Sequence, residues 1–188
     1  MPVSPDEPTQ QGLVLRGLPP IARADARVLI LGSMPGAASL QAGQYYAHGQ
    51  NRFWRYMDAL VGAGTSLPYP QRVQRLCDAR IAVWDVIATC RREGSLDSAI
   101  RDEAANDFDR FLRLHPDIAT VLFNGAKAQS SFNRQARPVP MRAGLNLLRL
   151  PSTSPANASQ PDAVKLAAWR AALIYAGARV IGATLAER

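Results

Sequence analysis

The chain has 188 residues, a net charge of +7 and a pI near 10.1, with 47% hydrophobic and 20% charged residues. That length holds one well-buried domain and is short for two; the composition is that of a soluble globular protein, and no apolar run approaches a membrane span. The basicity favours an anionic partner, nucleic acid first, against the plain alternative of charge kept for solubility. Met1 to Gln11 is polar, contains proline and lacks the basic and apolar regions of a signal peptide, so residues 1–11 read as a disordered lead-in and 12–188 as a single domain of a cytoplasmic protein.

In chain order, Arg27 to Gly32 is a short apolar run closed by glycine, which predicts a strand covered on both faces. Asn51 to Leu60 places Phe53, Trp54, Met57 and Leu60 at helical spacing, and Gly62 and Gly64 end that helix. Gly62 to Pro70 reads as a loop. Ile81 to Ile87 predicts a second strand. Ala104 to Leu114 carries Phe108, Phe111 and Leu112 on one helical face and stops before Pro116. Ile118 to Phe123 predicts a third strand, punctuated by Asn124-Gly125, and Lys127 to Arg134 a helix. Arg137 to Gly144 reads as a loop, Leu145 to Leu150 as a fourth strand ended by Pro151, and Asp162 caps a last helix through Trp169 to Tyr175. Strands alternating with helices predict a three-layer α/β/α sandwich around a mainly parallel four-stranded sheet. Ligands bind beyond the carboxyl ends of such strands. The two most unusual segments lie there: Gly32-Ser33-Met34-Pro35-Gly36, running on through Tyr45-Tyr46-Ala47-His48, and Pro151-Ser152-Thr153-Ser154-Pro155-Ala156-Asn157. They are expected to converge on a pocket suited to a flat polar ring.

Several chemistries are excluded. No Gly-x-x-x-x-Gly-Lys-[Ser/Thr] phosphate loop, Gly-x-Gly-x-x-Gly fingerprint or Gly-x-Ser-x-Gly elbow is present. Cys77 and Cys90 are the only cysteines and read as buried apolar residues, too few for a four-thiolate metal or iron–sulfur site. His48 and His115 are the only histidines, which argues against a multi-histidine metal centre. No metal and no cofactor is expected. Lys127 and Lys165 are the only lysines, and neither sits in a motif.

The motifs together resemble the uracil-DNA glycosylase superfamily. Gly32 to Gly36 is similar to its first motif and Pro151 to Ser154 to its second, the loop that enters the DNA minor groove. Tyr46-Ala47-His48 before Asn51-Arg52-Phe53-Trp54 resembles the mismatch-specific branch. With Val83-Trp84-Asp85-Val86, Gly94-Ser95-Leu96-Asp97-Ser98 and Ser152 to Asn157, the pattern is most similar to the hypoxanthine-DNA (deoxyinosine) glycosylase branch, from about Leu18 to Tyr175. The resemblance implies a monomeric enzyme that flips a deaminated base from DNA and hydrolyses its glycosidic bond. It implies Asn51 as the catalytic residue. It implies a base pocket made by Gly32, Ser33, Met34, Pro35, Gly36, Tyr46, His48, Trp84 and Asp85, with Tyr46 stacking on the base. It implies DNA contacts from Ser152, Thr153, Ser154 and Asn157.

Two departures bear on mechanism. Met34 stands where many members of the superfamily hold water with Asn or Asp, and a thioether accepts hydrogen bonds only weakly. Ser154 stands near where the mismatch-specific branch carries a bulky apolar wedge. Alternatives remain at single residues. Asn51 also fits a helix cap; His48 fits a loop residue bonded to backbone; Trp84, Phe53 and Trp54 fit the core, with Tyr45 the core-facing member of its pair. Asp97 and Ser98 fit a turn cap. Asp85 beside an apolar strand needs a partner if buried. Without a motif lysine for a Schiff base, a monofunctional glycosylase is expected. A uracil or mixed-specificity glycosylase, and a nucleic-acid or nucleotide-binding module without catalysis, are the competing functions.

Overall fold

A computed structural model describes residues 13–135, 144–157 and 160–183; the expected lead-in and most of the loop expected over 137–144 lie outside them. The described chain runs β1 (Val14–Arg16), β2 (Val28–Gly32), α1 (Ala37–Ala42), α2 (Phe53–Val61), α3 (Tyr69–Asp78), β3 (Ile81–Asp85), β4 (Ile87–Arg91), a 3-10 turn (Asp97–Ala99), β5 (Arg101–Ala105), α4 (Phe108–Leu114), β6 (Thr120–Asn124), α5 (Ala126–Gln135), β7 (Asn146–Leu150) and α6 (Asp162–Tyr175).

Four strands form a parallel sheet in the order β3-β2-β6-β7. β2 and β3 are buried at every residue, as unbroken apolar runs require when both faces are covered. On the sheet's flanks, α2 packs against both α3 and α6, while α5 packs on β6 and against β5. The chain steps from β2 to β3 in one direction and from β6 to β7 in the other, so right-handed crossovers put their helices on opposite faces. The amphipathic pattern of α2 buries Phe53, Trp54, Tyr56, Met57, Leu60 and Val61, and α6 buries Trp169 and Leu173 completely. The three-layer α/β/α architecture follows from this arrangement.

The structure adds elements that the sequence pattern hid. Ile81 to Ile87 is not one strand: β3 ends at Asp85, and the Val86 and Ile87 amides donate to the Gly32 and Ser33 carbonyls at 2.9 and 3.0 Å. The chain thereby turns across the end of β2 and enters a second, antiparallel sheet, β1-β4-β5. A short apolar run cannot tell one strand from two. The expected helix over Ala104 to Leu114 is also corrected. Its first residues close β5, Asp107 accepts the Arg110 amide at 3.0 Å, and the helix starts at Phe108 where the apolar spacing starts. The loop expected over 62–70 gives way to α3 from Tyr69, a largely polar helix whose one buried residue is Leu76.

Candidate active site

The four parallel strands all end at one side of the sheet, and a cavity of about 380 Å³ opens there. β2 delivers Gly32 and the first-motif loop, β3 Asp85, β6 Asn124, and the turn after β7 Ser152 to Ala156. Gly32, Ser33, Met34, Pro35, Gly36, Tyr46, His48, Asn51, Asp85, Ser152, Thr153 and Ser154, expected at the site, all line it. The chain needs glycine at position 32: a Cβ there would stand 2.3 Å from Asp85 Oδ1 and 3.2 Å from the Tyr46 hydroxyl.

Asp85 is the most telling side chain. It is 3% exposed, and no hydrogen bond reaches its buried Oδ2. Burial first, then the neighbouring Asp97, pushes its pKa up to about 7, against the opposing pull of Arg92. Arg92 is itself buried and donates to the Pro35 carbonyl at 2.5 Å and to the Gly94 carbonyl at 3.1 Å, pinning the first-motif loop. Ser33 Oγ donates to Asp97 Oδ1 at 2.7 Å, and Ser95 Oγ accepts the Ala37 amide at 3.0 Å, so the segment before the 3-10 turn is held against that loop. Between those anchors Leu96 lines the cavity mouth while 61% exposed.

Tyr46 stands in the left-handed backbone region, with φ 54°, where a bulky residue is strained. One face of its ring stacks on Phe53 at 4.0 Å and 20°; its hydroxyl accepts from Asn124 Nδ2 at 3.1 Å. Burial and the nearby Asp85 hold that phenol above its usual range. Tyr45, as expected, turns to the core, its hydroxyl bonded to the Leu18 and Pro19 carbonyls. Asn51 does both things open to it. Its Oδ1 accepts the Phe53 amide at 3.0 Å at the start of α2, and it lines the cavity. The amide donor fixes which end of the carboxamide is oxygen, and that oxygen keeps a second lone pair.

Two expected assignments need correction. Trp84 does not line the cavity: its indole N–H donates to the Leu18 carbonyl at 3.3 Å and its ring packs on Phe108 and Phe111. Successive strand residues point to opposite sides, so Asp85 facing the site sends Trp84 the other way. Thr153 is fully buried and not a DNA contact. Its Oγ1 accepts from Asn124 Nδ2 at 2.8 Å, its amide donates to Asn124 Oδ1 at 2.9 Å, and its carbonyl accepts the Arg52 amide at 3.0 Å. It ties the two motifs together from inside. Asn157, expected to contact DNA and not the base, lies in a groove beside the base cavity. His48 is exposed at the rim, its Nδ1 accepting the Gln50 amide at 3.3 Å.

Sequence reading missed Asn124, taken for a turn residue, although a carboxamide at the end of a parallel strand was itself the signal. It missed Asp97 as a wall of the cavity. It also missed Lys165, which reaches under the second motif from α6 and donates to the Ser152 carbonyl at 3.1 Å and to the Asn157 carbonyl. Lys127 instead pairs with Glu103 at 2.7 Å. Among the described residues no cluster of three or more His, Cys, Asp or Glu can hold a metal ion, and no helix is long and apolar enough to cross a membrane.

Comparison with known proteins gives a consistent result. Residues 19–173 match the family model of the uracil DNA glycosylase superfamily. A hypoxanthine DNA glycosylase of Methanosarcina barkeri is 39% identical over 114 residues, covering 60% of this chain and 72% of that protein. A hypoxanthine DNA glycosylase of Methanosarcina acetivorans is 35% identical over 146 residues, covering 77% of this chain and 89% of that protein. The solution NMR structure of a Methanosarcina acetivorans protein described as a candidate uracil DNA glycosylase superposes with a TM-score of 0.72 at 32% identity, over 87% of this chain and 99% of that one.

Proposed function

The chain belongs to the uracil DNA glycosylase superfamily, and from that premise we propose that it is a monofunctional DNA glycosylase that removes hypoxanthine from deoxyinosine and so starts base excision repair. The observation that carries the reading is the single cavity in which the first motif, Asn51 and the second-motif turn meet at the ends of four parallel strands. The names of two relatives supply the substrate: both are hypoxanthine DNA glycosylases. The protein acts as a monomer in the cytoplasm on DNA carrying a deaminated base.

In this reading the target nucleotide leaves the duplex and its base enters the cavity. Tyr46 stacks on the base with the face that Phe53 leaves free, a contact of about 1–3 kcal/mol. Asp85 in its ionised form accepts the ring N–H through the oxygen that has no protein partner. The C1′–N bond breaks with its electron pair going to the base, leaving an oxocarbenium-like sugar. Asn51 Oδ1, fixed by the Phe53 amide, faces that cation and orients the water. This is positioning and electrostatic stabilisation, since a carboxamide does not take the proton. Water adds hydroxide to C1′, and its proton ends on the departing base. Met34 lines the cavity as apolar wall. Ser152 and Ser154 contact the DNA backbone. Ser154 is too small to fill the vacated stack. Leu96, the one large exposed apolar side chain on the cavity lining among the described residues, takes that part. Neither lysine lines the cavity, and both amines are engaged, Lys127 with Glu103 and Lys165 with the Ser152 and Asn157 carbonyls, which supports hydrolysis without a Schiff base.

Uracil also presents a ring N–H between carbonyl groups, so the Asp85 contact alone does not separate the two bases. The test is base release from matched duplexes holding one deoxyinosine or one deoxyuridine, read by cleavage at abasic sites. Release from deoxyinosine is expected. Preferential release from deoxyuridine overturns the substrate, and release from neither overturns the enzyme.

A further inference from the structure

Lys165 is an anomaly in the fold. It is 2% exposed, and lysine is almost never that buried without a paired acid. Among the described residues no carboxylate forms an ion pair with it. Its ammonium is satisfied by two carbonyls that bracket the second motif, those of Ser152 and Asn157. Carbonyl oxygens supply hydrogen bonds but no opposite charge, so among the described residues the ammonium has no ionic partner.

That charge borders a second concavity. A groove of about 510 Å³ runs beside the base cavity, sharing Gln50, Asn51, Ser154 and Pro155 with it, and Arg52, Arg55 and Lys165 line it. Asp162 is the one acid on the groove. It takes Arg52, the Tyr56 hydroxyl at 2.6 Å and Arg55 at 3.3 Å, which leaves three cations facing one carboxylate. Asp162 therefore aligns the two guanidinium groups along the groove without neutralising it, and Arg55 stays 75% exposed and open to a ligand.

We propose that this groove seats a backbone phosphate of the damaged strand beside the flipped nucleotide, and that Lys165 joins that phosphate to the second-motif turn. The inference rests on the DNA glycosylase reading. A phosphodiester is the chemistry that fits: an anion held at a fixed distance from the base, matched by guanidinium forks and an ammonium. The groove meets the cavity at Asn51 and Ser154, where the sugar of a flipped nucleotide must enter. Binding the phosphate supplies the counter-charge that Lys165 lacks. The same ammonium that holds the turn through the Ser152 and Asn157 carbonyls thereby also meets the seated strand.

The test measures affinity for a deoxyinosine duplex as a function of salt, in an Asn51→Ala background so that the base stays attached. The partners are Arg55→Gln, which alters an exposed side chain, and Lys165→Met. Each lost phosphate contact flattens the plot of log K against log salt by roughly 0.9. A change of that size is expected for both variants, and a purely structural role for Lys165 would leave the slope alone. A scan placing one neutral methylphosphonate at a time along the damaged strand provides the second reading. At one position near the lesion it should weaken the parent protein and weaken Arg55→Gln by less. Unchanged slopes, or methylphosphonate effects that simply add to that of Arg55→Gln at every position, overturn the phosphate site. Base release by the wild-type protein, measured alongside, keeps the two readings apart: its absence sinks the glycosylase assignment, and its presence with unchanged slopes sinks only the groove.

Discussion

Replacing Asp85 with asparagine should change the pH dependence of folding stability in a direction and by an amount set by its burial. In the unfolded chain an aspartate titrates near 3.8, and in the fold it is held up to about 7. Between those values the folded protein keeps a proton that the unfolded chain has released, so stability falls as pH rises. The favourable contribution of the neutral acid is fully present below about pH 4 and is lost as pH climbs through about 7. At 1.36 kcal/mol per pH unit, the whole interval corresponds to about 4 kcal/mol, of which more than half falls between pH 5 and pH 8. Asparagine has nearly the same shape and no such titration. Urea unfolding of both proteins at several pH values isolates the effect, because the other titrating groups cancel in the difference. The variant should gain roughly 2–3 kcal/mol on the wild type between pH 5 and pH 8. A stability difference that stays constant across that range would refute the buried, unpaired carboxyl. Because the proposed acceptor is the ionised form, wild-type base release should rise about tenfold from pH 6 to pH 8. Release by the asparagine variant should lack that rise.

Asn51→Ala should lower base release by about 10²–10³-fold, the usual cost of losing one electrostatic stabiliser, while gel-shift binding of the duplex persists; unchanged turnover removes Asn51 from the mechanism. Tyr46→Ala should cost roughly 1–3 kcal/mol of base capture, read as a raised KM; an unaltered KM places the ring outside the contact. Leu96→Ala should slow release from duplex DNA several-fold and leave single-stranded substrate untouched, since only a duplex has a stack to refill; equal losses on both substrates mean that Leu96 touches the base itself. Gly32→Ala should abolish activity, because the added Cβ stands 2.3 Å from Asp85 Oδ1; kinetics matching the wild type would refute that crowding.

The parallel sheet was legible because β2, β3 and β6 are short apolar runs closed by glycine, aspartate or asparagine, β7 ends at Pro151, and helices with apolar residues at 3.6 spacing separate them. The antiparallel sheet β1-β4-β5 was not. β4 continues the same apolar run as β3, and β5 reads Arg-Asp-Glu-Ala-Ala, a pattern that only pairing with β4 makes a strand. Propensity is a weak guide where tertiary contact decides. In the same way α3 buries only Leu76 and so offers little periodicity to detect.

The site divides along a similar line. Residues whose side chains meet the ligand space are unusual where they stand, and so were visible: a glycine-rich turn, paired tyrosines, an aspartate after tryptophan. Residues that hold those parts together look ordinary in sequence. Asn124 resembles any Asn-Gly turn, yet it bonds Tyr46 from one motif and Thr153 from the other. Lys165 resembles a helix-surface lysine, yet its ammonium grips the turn that holds Ser152 and Asn157. Thr153 was misread for the matching reason: a threonine inside a polar turn looks like a phosphate contact, and only the fold shows its hydroxyl spent on Asn124. The first motif, the end of β6 and the second-motif turn are thus fixed by partly buried hydrogen bonds between residues about 30 to 80 positions apart. Such long-range bonds leave no local pattern in the sequence. They also preorganise the cavity, so that base capture need not be offset by ordering the loops that form it.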